Sequence, residues 1–144
     1  MKYYNNILET IGNTPLIKLN KITKDLPCEV FAKVESFNPG NSVKDRMAVK
    51  MIEDAEKSGL IKPGGTIVEG TAGNTGIGLT LIANSKGYKS IIVMPETQTK
   101  EKIDTLRSIG ADLRLVPAKP YKDPDNYIKF SEKLAKEIIK WING

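Results

Sequence analysis

The stretch Thr66–Met94, TIVEGTAGNTGIGLTLIANSKGYKSIIVM, decides the fold class. It begins with a short β-branched run at Thr66–Glu69, passes through a glycine-rich loop, and continues in a run of small and apolar residues at Gly76–Ser85. After Gly87 the chain returns to the apolar run SIIVM at residues 90–94. Two short apolar runs on either side of one helix predict a right-handed strand–helix–strand unit with parallel strands. The sequence therefore predicts the α/β class.

The same alternation of short and long segments continues on both sides of this unit. Upstream, alternating side chains predict a strand at Glu29–Val34, and an amphipathic pattern predicts a helix at Ser42–Ser58. Downstream, the pattern predicts a helix at Thr99–Ile109, a strand at Leu113–Val116 and a last helix at Asn126–Ile142. Strands that alternate with helices of this length indicate a parallel sheet covered on both faces. We expect a three-layer unit.

The last predicted helix has an unusually broad apolar face. At about 100° per residue its apolar side chains cover about half of the circumference. These residues are Tyr127, Ile128, Phe130, Leu134, Ala135, Ile138, Ile139, Trp141 and Ile142. Such a face contacts structure on two sides in most proteins, and only Asn143 and Gly144 follow it here. We therefore expect a longer chain to continue against this helix; packing on the sheet alone is the alternative.

Composition excludes several function classes. The 144 residues include no histidine, which excludes Ser-His-Asp and Cys-His nucleophile systems and histidine-ligated zinc. The single cysteine, Cys28, excludes an intrachain disulfide and multi-cysteine metal sites, so we expect no metal. The net charge is +5, but the lysines are scattered and aromatic residues make up 6 %, which argues against nucleic-acid binding. We find no signal peptide and no apolar run of about 20 residues, and expect a cytoplasmic protein without membrane partners.

A turn leads into the predicted helix that begins at Ser42. Asn-Pro-Gly-Asn at residues 38–41 is typical of a turn, and Ser42 with Asp45 three residues later predicts a capping box. The apolar residues that recur at every fourth position predict the buried stripe. They are Val43, Met47, Met51 and Ala55.

Lys44 is the most informative residue of this helix. With Ser42 as the cap it occupies the second helical position, where the helix dipole is positive. A lysine there is misplaced by about 0.3–1 kcal/mol, and the same field favours the neutral amine, which can attack an aldehyde. The residues alone leave two explanations open: a nucleophilic lysine, or a surface lysine that tolerates a poor position.

The glycine-rich loop Glu69–Gly78, EGTAGNTGIG, follows one predicted strand and opens one predicted helix. Its glycines allow backbone N–H groups to converge on an anion at the positive end of the helix. The spacing matches neither a P-loop nor the G-x-G-x-x-G dinucleotide motif. The threonine and asparagine content favours a carboxylate as the anion; tight packing between strand and helix is the alternative explanation for the glycines.

Together these motifs identify a family resemblance. Ile11–Leu16 (IGNTPL), the lysine motif within Lys33–Met51, the loop GNTG at 73–76 and Val93–Thr97 (VMPET) resemble the cysteine synthase branch of the fold-type II pyridoxal phosphate enzymes. That group includes cystathionine β-synthase. The resemblance covers essentially the whole chain, and it implies the tryptophan synthase β-like fold. Relatives are about twice as long, so the resemblance implies an N-terminal portion with the C-terminal domain absent. It assigns residues 35–144 to the small domain and 13–34 to the larger one.

The resemblance also implies the roles of individual residues. Lys44 would be the Schiff-base lysine for pyridoxal 5′-phosphate and would carry the proton at the substrate α-carbon. Asn74 would bind the 3′-oxygen of the cofactor. The substrate carboxylate would be held by the loop residues Thr71, Ala72, Gly73 and Thr75. The implied reaction replaces the acetate of O-acetylserine, or the leaving group of another activated serine, with sulfide, and the full-length form would be a homodimer.

Some features of the sequence limit what the resemblance implies. Ala72 stands where the common form of the loop has serine, so one hydroxyl contact to the substrate is absent. The phosphate-binding loop and the partner of the pyridine nitrogen would lie beyond Gly144. Cystathionine β-synthase chemistry, with homocysteine as the nucleophile, is one alternative, although the absence of histidine argues against its haem-binding form. A threonine dehydratase is less favoured because Thr75 follows Asn74 where that group has histidine. A truncated, non-catalytic module without cofactor is the third alternative.

Overall fold

The computed structural model describes Met1 and residues 3–142, and for residues 139–142 it describes the backbone only. The helices are α1 (Lys44–Lys57), α2 (Asn74–Lys86), α3 (Lys100–Ser108) and α4 (Tyr127–Ile142). The strands are β1 (Leu16–Lys18), β2 (Phe31–Lys33), β3 (Thr66–Gly70), β4 (Lys89–Pro95) and β5 (Asp112–Val116). Short 3-10 helices cover Ile7–Thr10 and Glu35–Phe37.

The central sheet has the parallel order β3-β4-β5. Val68 pairs with Ile91 and Gly70 with Val93, while α2 and α3 make the two crossovers. Because side chains alternate across a strand, Ile92 faces α2, and Gly70 and Val93 face the opposite side. On that opposite side α4 packs directly on Gly70, where a Cβ would lie 2.9 Å from the Ile128 Cα. The predicted α/β three-layer unit is confirmed.

Two apolar clusters lie on the α2 face of this sheet. One joins α1, α2 and Tyr88, the residue before β4, around the fully buried Ile82, and the other joins β4 and α3 around Ile92, Met94 and Leu106. The second cluster fixes the carboxyl end of β4 beside the loop that follows β3. The core thereby positions the sheet edge from which the glycine-rich loop projects.

The predicted strand at Glu29–Val34 differs from the observed one. Only Phe31–Lys33 is extended and paired, and it forms an antiparallel two-stranded sheet with Leu16–Lys18, apart from the central sheet. Phe31 is exposed. The alternation predicts a strand correctly, but it contains no information on the strand's partner.

The start of α1 also differs from the prediction. The helix begins at Lys44 with Val43 at the cap, so the capping box is wrong and Lys44 is the first helical residue. The Ser42 hydroxyl oxygen accepts from the Lys44 N–H at 3.2 Å, whereas the Asp45 carboxylate accepts from the Gly40 N–H at 2.5 Å. The acid therefore hydrogen-bonds the preceding turn and not the helix cap.

The predicted buried stripe of α1 is wrong. Val43 is 50 % exposed and Met51 46 % exposed, and Met47 and Ala55 are half-buried. The buried residues are Asp45, Ala48 and Ile52. This face is selected by its close contact with α2, because a Cβ on Gly78 would lie only 3.3 Å from the Ala48 Cβ. The small side chain of Ala48 permits that approach, and the two methionines do not.

The described part of α4 has one face on the sheet and apolar side chains beyond it. Asn126 is buried and caps the helix, with its side-chain oxygen accepting from the Ile128 N–H at 3.1 Å. Phe130 is 38 % exposed. The side chains of the predicted apolar residues Ile139, Trp141 and Ile142, and the final pair Asn143 and Gly144, lie outside the described residues. Among the helices described, none is both long and apolar enough to cross a membrane.

Candidate functional site

The glycine-rich loop connects the carboxyl end of β3 to the first turn of α2. Its first residue is tied to the sheet, because the Thr71 N–H donates to the Val93 carbonyl at 2.9 Å. Within the loop the Gly73 N–H donates to the Thr71 hydroxyl at 3.3 Å, and Gly73 occupies the helix cap. Glycine has no side chain to cap α2, so the first N–H groups of this helix have no side-chain acceptor. The loop therefore presents uncapped donors at the positive end of a helix.

Two glycines of this loop have different surroundings. A Cβ on Gly76 would lie 2.8 Å from the Thr71 Cγ2 and 3.0 Å from the Ile92 Cγ2, so close packing accounts for this glycine. A Cβ on Gly73 would meet no atom within 4 Å, and its φ of −152° is ordinary extended backbone. Packing and backbone strain therefore do not explain Gly73, and open space adjoins it.

The first turn of α1 lies against the first turns of α2. A Cβ on Gly78 would lie 3.2 Å from the Lys44 carbonyl oxygen. The turn before α1 and the start of α2 also border one cavity of about 340 Å³, to which Gly40, Asn41 and Asn74 contribute. The fold therefore brings the turn that contains Lys44 and the glycine-rich loop to one side of the molecule.

The Lys44 side chain is exposed, and its amine has neither a hydrogen bond nor an ion pair within the described part of the chain. On the same helix, the Lys50 amine donates to Asp54. An unpaired amine on the first residue of α1, a helix whose first turn packs against α2, fits a ligand that combines an aldehyde with anionic groups. The residues present are compatible with pyridoxal phosphate in this respect.

Asp45, the residue after Lys44, is fully buried between α1, α2 and the preceding turn. One carboxylate oxygen accepts from Gly40, and the other, Oδ1, has no hydrogen-bond partner among the described residues. Burial raises the pKa of this carboxyl above its usual value. Gly40 must be glycine here, because a Cβ would lie 2.9 Å from the Asp45 Cγ.

Lys102 on α3 borders the loop from the other side. Its amine lies 3.5 Å from the Ala72 carbonyl oxygen and lines the same cavity as Asn74. No motif in the sequence singled out this residue, since one lysine among many on an amphipathic helix has no distinguishing pattern.

The site residues implied by the resemblance fall into two groups. Thr71, Ala72, Gly73 and Thr75 are half-buried along one continuous loop, and Asn74 is exposed at the first position of α2. Lys44 lies on the neighbouring α1. The roles assigned to these residues remain predictions. The sequence did not identify Asn38 or the contacts that Glu35 and Arg46 make with each other and with residues 12–14. No cluster of metal-binding side chains occurs among the residues described.

Comparison with known proteins places this arrangement in a family. Residues 7–144 match the model of the family described as "Pyridoxal-phosphate dependent enzyme". The chain is 56 % identical over 135 residues to cysteine synthase 1 of Neurospora crassa. This match covers 92 % of this chain and 36 % of that protein. It is 52 % identical over 134 residues to cystathionine beta-synthase of Dictyostelium discoideum, covering 92 % of this chain and 27 % of that protein.

A solved structure has the same fold. The hydrogen sulfide-producing enzyme of Fusobacterium nucleatum superposes with a TM-score of 0.85 at 42 % identity, covering 95 % of this chain and 44 % of that one. The chain thus spans less than half the length of each of these proteins. Because the family model matches nearly the whole chain and the relatives exceed 50 % identity, this chain belongs to the pyridoxal-phosphate-dependent enzymes.

Proposed function

We propose that the full-length protein is a cysteine synthase that uses pyridoxal 5′-phosphate to replace the leaving group of an activated serine, O-acetylserine, with sulfide. The observation that carries the proposal is the unpaired Lys44 amine on the first helical residue of α1, whose backbone lies close to the helix that the glycine-rich loop opens. The proposal is supported by the 56 % identity to a cysteine synthase, which covers this whole region.

The residues of this chain would hold one end of the cofactor. Lys44 offers the amine for the cofactor aldehyde, and the exposed Asn74 amide can donate to the 3′-oxygen. The cofactor, when bound, supplies an electron sink for the bond-breaking at the substrate α-carbon. Residues outside this chain would bind the phosphate group and the pyridine nitrogen.

The chain's own groups would orient the substrate and move one proton. The loop residues Thr71, Gly73 and Thr75, with the N–H groups at the start of α2, would bind the substrate carboxylate, an arrangement typical of anion sites at helix termini. This contact would fix the α-carbon, from which the Lys44 amine would accept the proton. Ala72 brings no hydroxyl group to this contact, so the loop relies on backbone donors at that position.

A second candidate function is cystathionine β-synthase chemistry, in which the thiol of homocysteine replaces sulfide. It is supported by the 52 % identity to a cystathionine beta-synthase. Both reactions use the lysine and the loop in the same way, so the nucleophile would be selected by residues outside this chain.

We also propose an organisation for the full-length protein. Residues 35–144 would form the small domain and 13–34 would belong to the larger one, which is supported by the separate sheet of β1 and β2. A homodimeric, cytoplasmic enzyme completes the proposal, and this part of it rests on the similarity to the cysteine synthases.

The test measures cysteine formation by the full-length protein with cofactor, O-acetylserine and sulfide, and in parallel cystathionine formation with homocysteine. We expect cysteine formation to exceed cystathionine formation and to be lost in Lys44→Ala. Lys50→Ala is the matched control, because Lys50 lies on the same helix and is ion-paired away from the loop. A Lys44→Ala variant that keeps the activity would contradict the proposal.

A further inference from the structure

The carboxylate of Glu35 lies at the centre of a hydrogen-bond network beside the Lys44 turn. One of its oxygens accepts from the Thr14 hydroxyl at 2.8 Å and from Arg46 at 2.9 Å. The other oxygen accepts from the Arg46 Nε at 2.8 Å and from the Asn38 amide at 2.9 Å. The hydrogen bonds from Arg46 make the largest contribution in lowering the pKa of Glu35 to about 2, so the carboxylate is charged at any physiological pH.

Asn38 connects this carboxylate to the turn that precedes α1. It is buried, its backbone carbonyl accepts from the Asn41 N–H at 2.8 Å, and its side-chain amide donates to the Ser42 carbonyl at 3.0 Å. Its side-chain oxygen accepts from the Gly12 N–H at 2.8 Å. The side chain of Asn38 thus closes the turn that ends two residues before Lys44.

Arg46 connects the same carboxylate to the helix on the other side of Lys44. It makes a two-pronged contact with Glu35, the geometry in which a guanidinium is most strongly oriented. It also donates to the Gly12 carbonyl at 2.9 Å. Lys44 therefore lies between Ser42, which the Asn38 amide contacts, and Arg46, and the Glu35 carboxylate binds both Asn38 and Arg46.

We infer that Glu35 is a positioning residue for Lys44: through Asn38 and Arg46 its carboxylate fixes the turn and the first helical residue, and so the direction in which the Lys44 amine points. The inference rests on the proposed function, since it concerns the lysine that would bind the cofactor. Loss of orientation at a reacting group reduces reactivity by up to about 100-fold. A network that only stabilised the fold would change the unfolding temperature and not the reactivity of one amine.

The test uses the full-length protein, substoichiometric pyridoxal 5′-phosphate and borohydride, which makes the covalent link to a lysine permanent, followed by peptide mass mapping. We expect Glu35→Gln to lower the share of label on Lys44, relative to all other lysines, by about 10- to 100-fold. The matched control is Glu56→Gln, which removes a carboxylate on α1 that accepts from Lys86 and Tyr88 at 2.8 Å each. The Glu56→Gln variant should keep the wild-type share of label on Lys44, even if its unfolding temperature falls as much as that of Glu35→Gln.

The outcomes separate the two proposals. A wild-type protein whose Lys44 is not labelled overturns the proposed function itself. A folded Glu35→Gln variant labelled like wild type overturns the positioning role alone. If Glu35→Gln does not fold, the Arg46→Lys variant tests the inference instead, because lysine keeps the positive charge and loses the two-pronged contact with Glu35. Normal labelling of Lys44 in that variant overturns the inference, and reduced labelling supports it.

Discussion

Replacing Gly73 with alanine separates ligand binding from folding at the loop after β3. The added methyl group would meet no protein atom within 4 Å, and the backbone of Gly73 is extended, so neither a clash nor strain opposes the substitution. Alanine also restricts the unfolded chain, which stabilises a protein by about 0.4–1 kcal/mol when the native backbone conformation is compatible. We therefore expect the free energy of unfolding to stay the same or to rise by that amount.

The same methyl group would stand beside the N–H donors proposed to bind the substrate carboxylate. A hydrogen bond to a charged group contributes about 1.5–3 kcal/mol, and each 1.4 kcal/mol corresponds to about tenfold in affinity. Displacement of the carboxylate from one donor should therefore raise the KM for O-acetylserine by about 10- to 100-fold. The KM for sulfide, which has no carboxylate, should not change.

The assay combines urea unfolding with steady-state kinetics of the full-length protein, and Gly70→Ala is the matched control. A Cβ on Gly70 would lie 2.5 Å from the Ser131 hydroxyl and 2.9 Å from backbone atoms of α4, and overpacking of this kind costs about 1–3 kcal/mol. Gly70→Ala should therefore destabilise the fold, while the KM measured for the folded enzyme changes little. A Gly73→Ala variant with wild-type KM for O-acetylserine would refute the proposed role of the loop.

Three further predictions concern charges and the loop. The pKa of Glu35 is lowered to about 2 from 4.5, so the stability that this carboxylate contributes is present above pH 4.5 and is lost as the pH falls towards 2. The free energy of unfolding should therefore fall less steeply with decreasing pH in Glu35→Gln than in wild type. Equal slopes would contradict the network. The pKa of Asp45 is raised by burial, so the ionised group destabilises the fold as the pH rises above 3.8. In urea unfolding, the stability of Asp45→Asn relative to wild type should therefore increase as the pH rises from about 4 to 7. A difference that does not change with pH would contradict this assignment. Ala72→Ser should add one hydroxyl donor and improve O-acetylserine binding by about 0.5–1.5 kcal/mol in a titration; weaker binding would indicate that the loop has adapted to alanine.

The sequence predicts the parallel unit well because its signals are local. Apolar runs, Gly87 and Gly110 mark the elements from β3 to β5, and the observed bounds agree with the predicted ones within three residues at each end. Gly87 and Gly110 indeed have positive φ, of 78° and 87°. Local signals of this kind need no knowledge of the partner segment.

The sequence-based predictions fail where contacts between residues distant in the sequence determine the structure. Helix α1 has two apolar faces, and the contact between Ala48 and Gly78 on another helix selects the buried one. Asp45 has the spacing of a capping box, but its carboxylate contacts Gly40, and this depends on how the turn folds back. The contacts of Arg46 with Gly12 and Glu35 span 34 and 11 residues, and no periodic pattern encodes them.

The most direct test of the central claim identifies the lysine that reacts with the cofactor. Full-length protein is incubated with pyridoxal 5′-phosphate, reduced with borohydride and digested, and the labelled peptide is mapped by mass spectrometry. The Lys44 amine has no partner among the described residues, whereas Lys50 on the same helix is ion-paired with Asp54. We predict a single label per chain at Lys44, with loss of the visible absorption band in Lys44→Ala. Label spread over surface lysines, or a Lys44→Ala variant that retains the band, would contradict it.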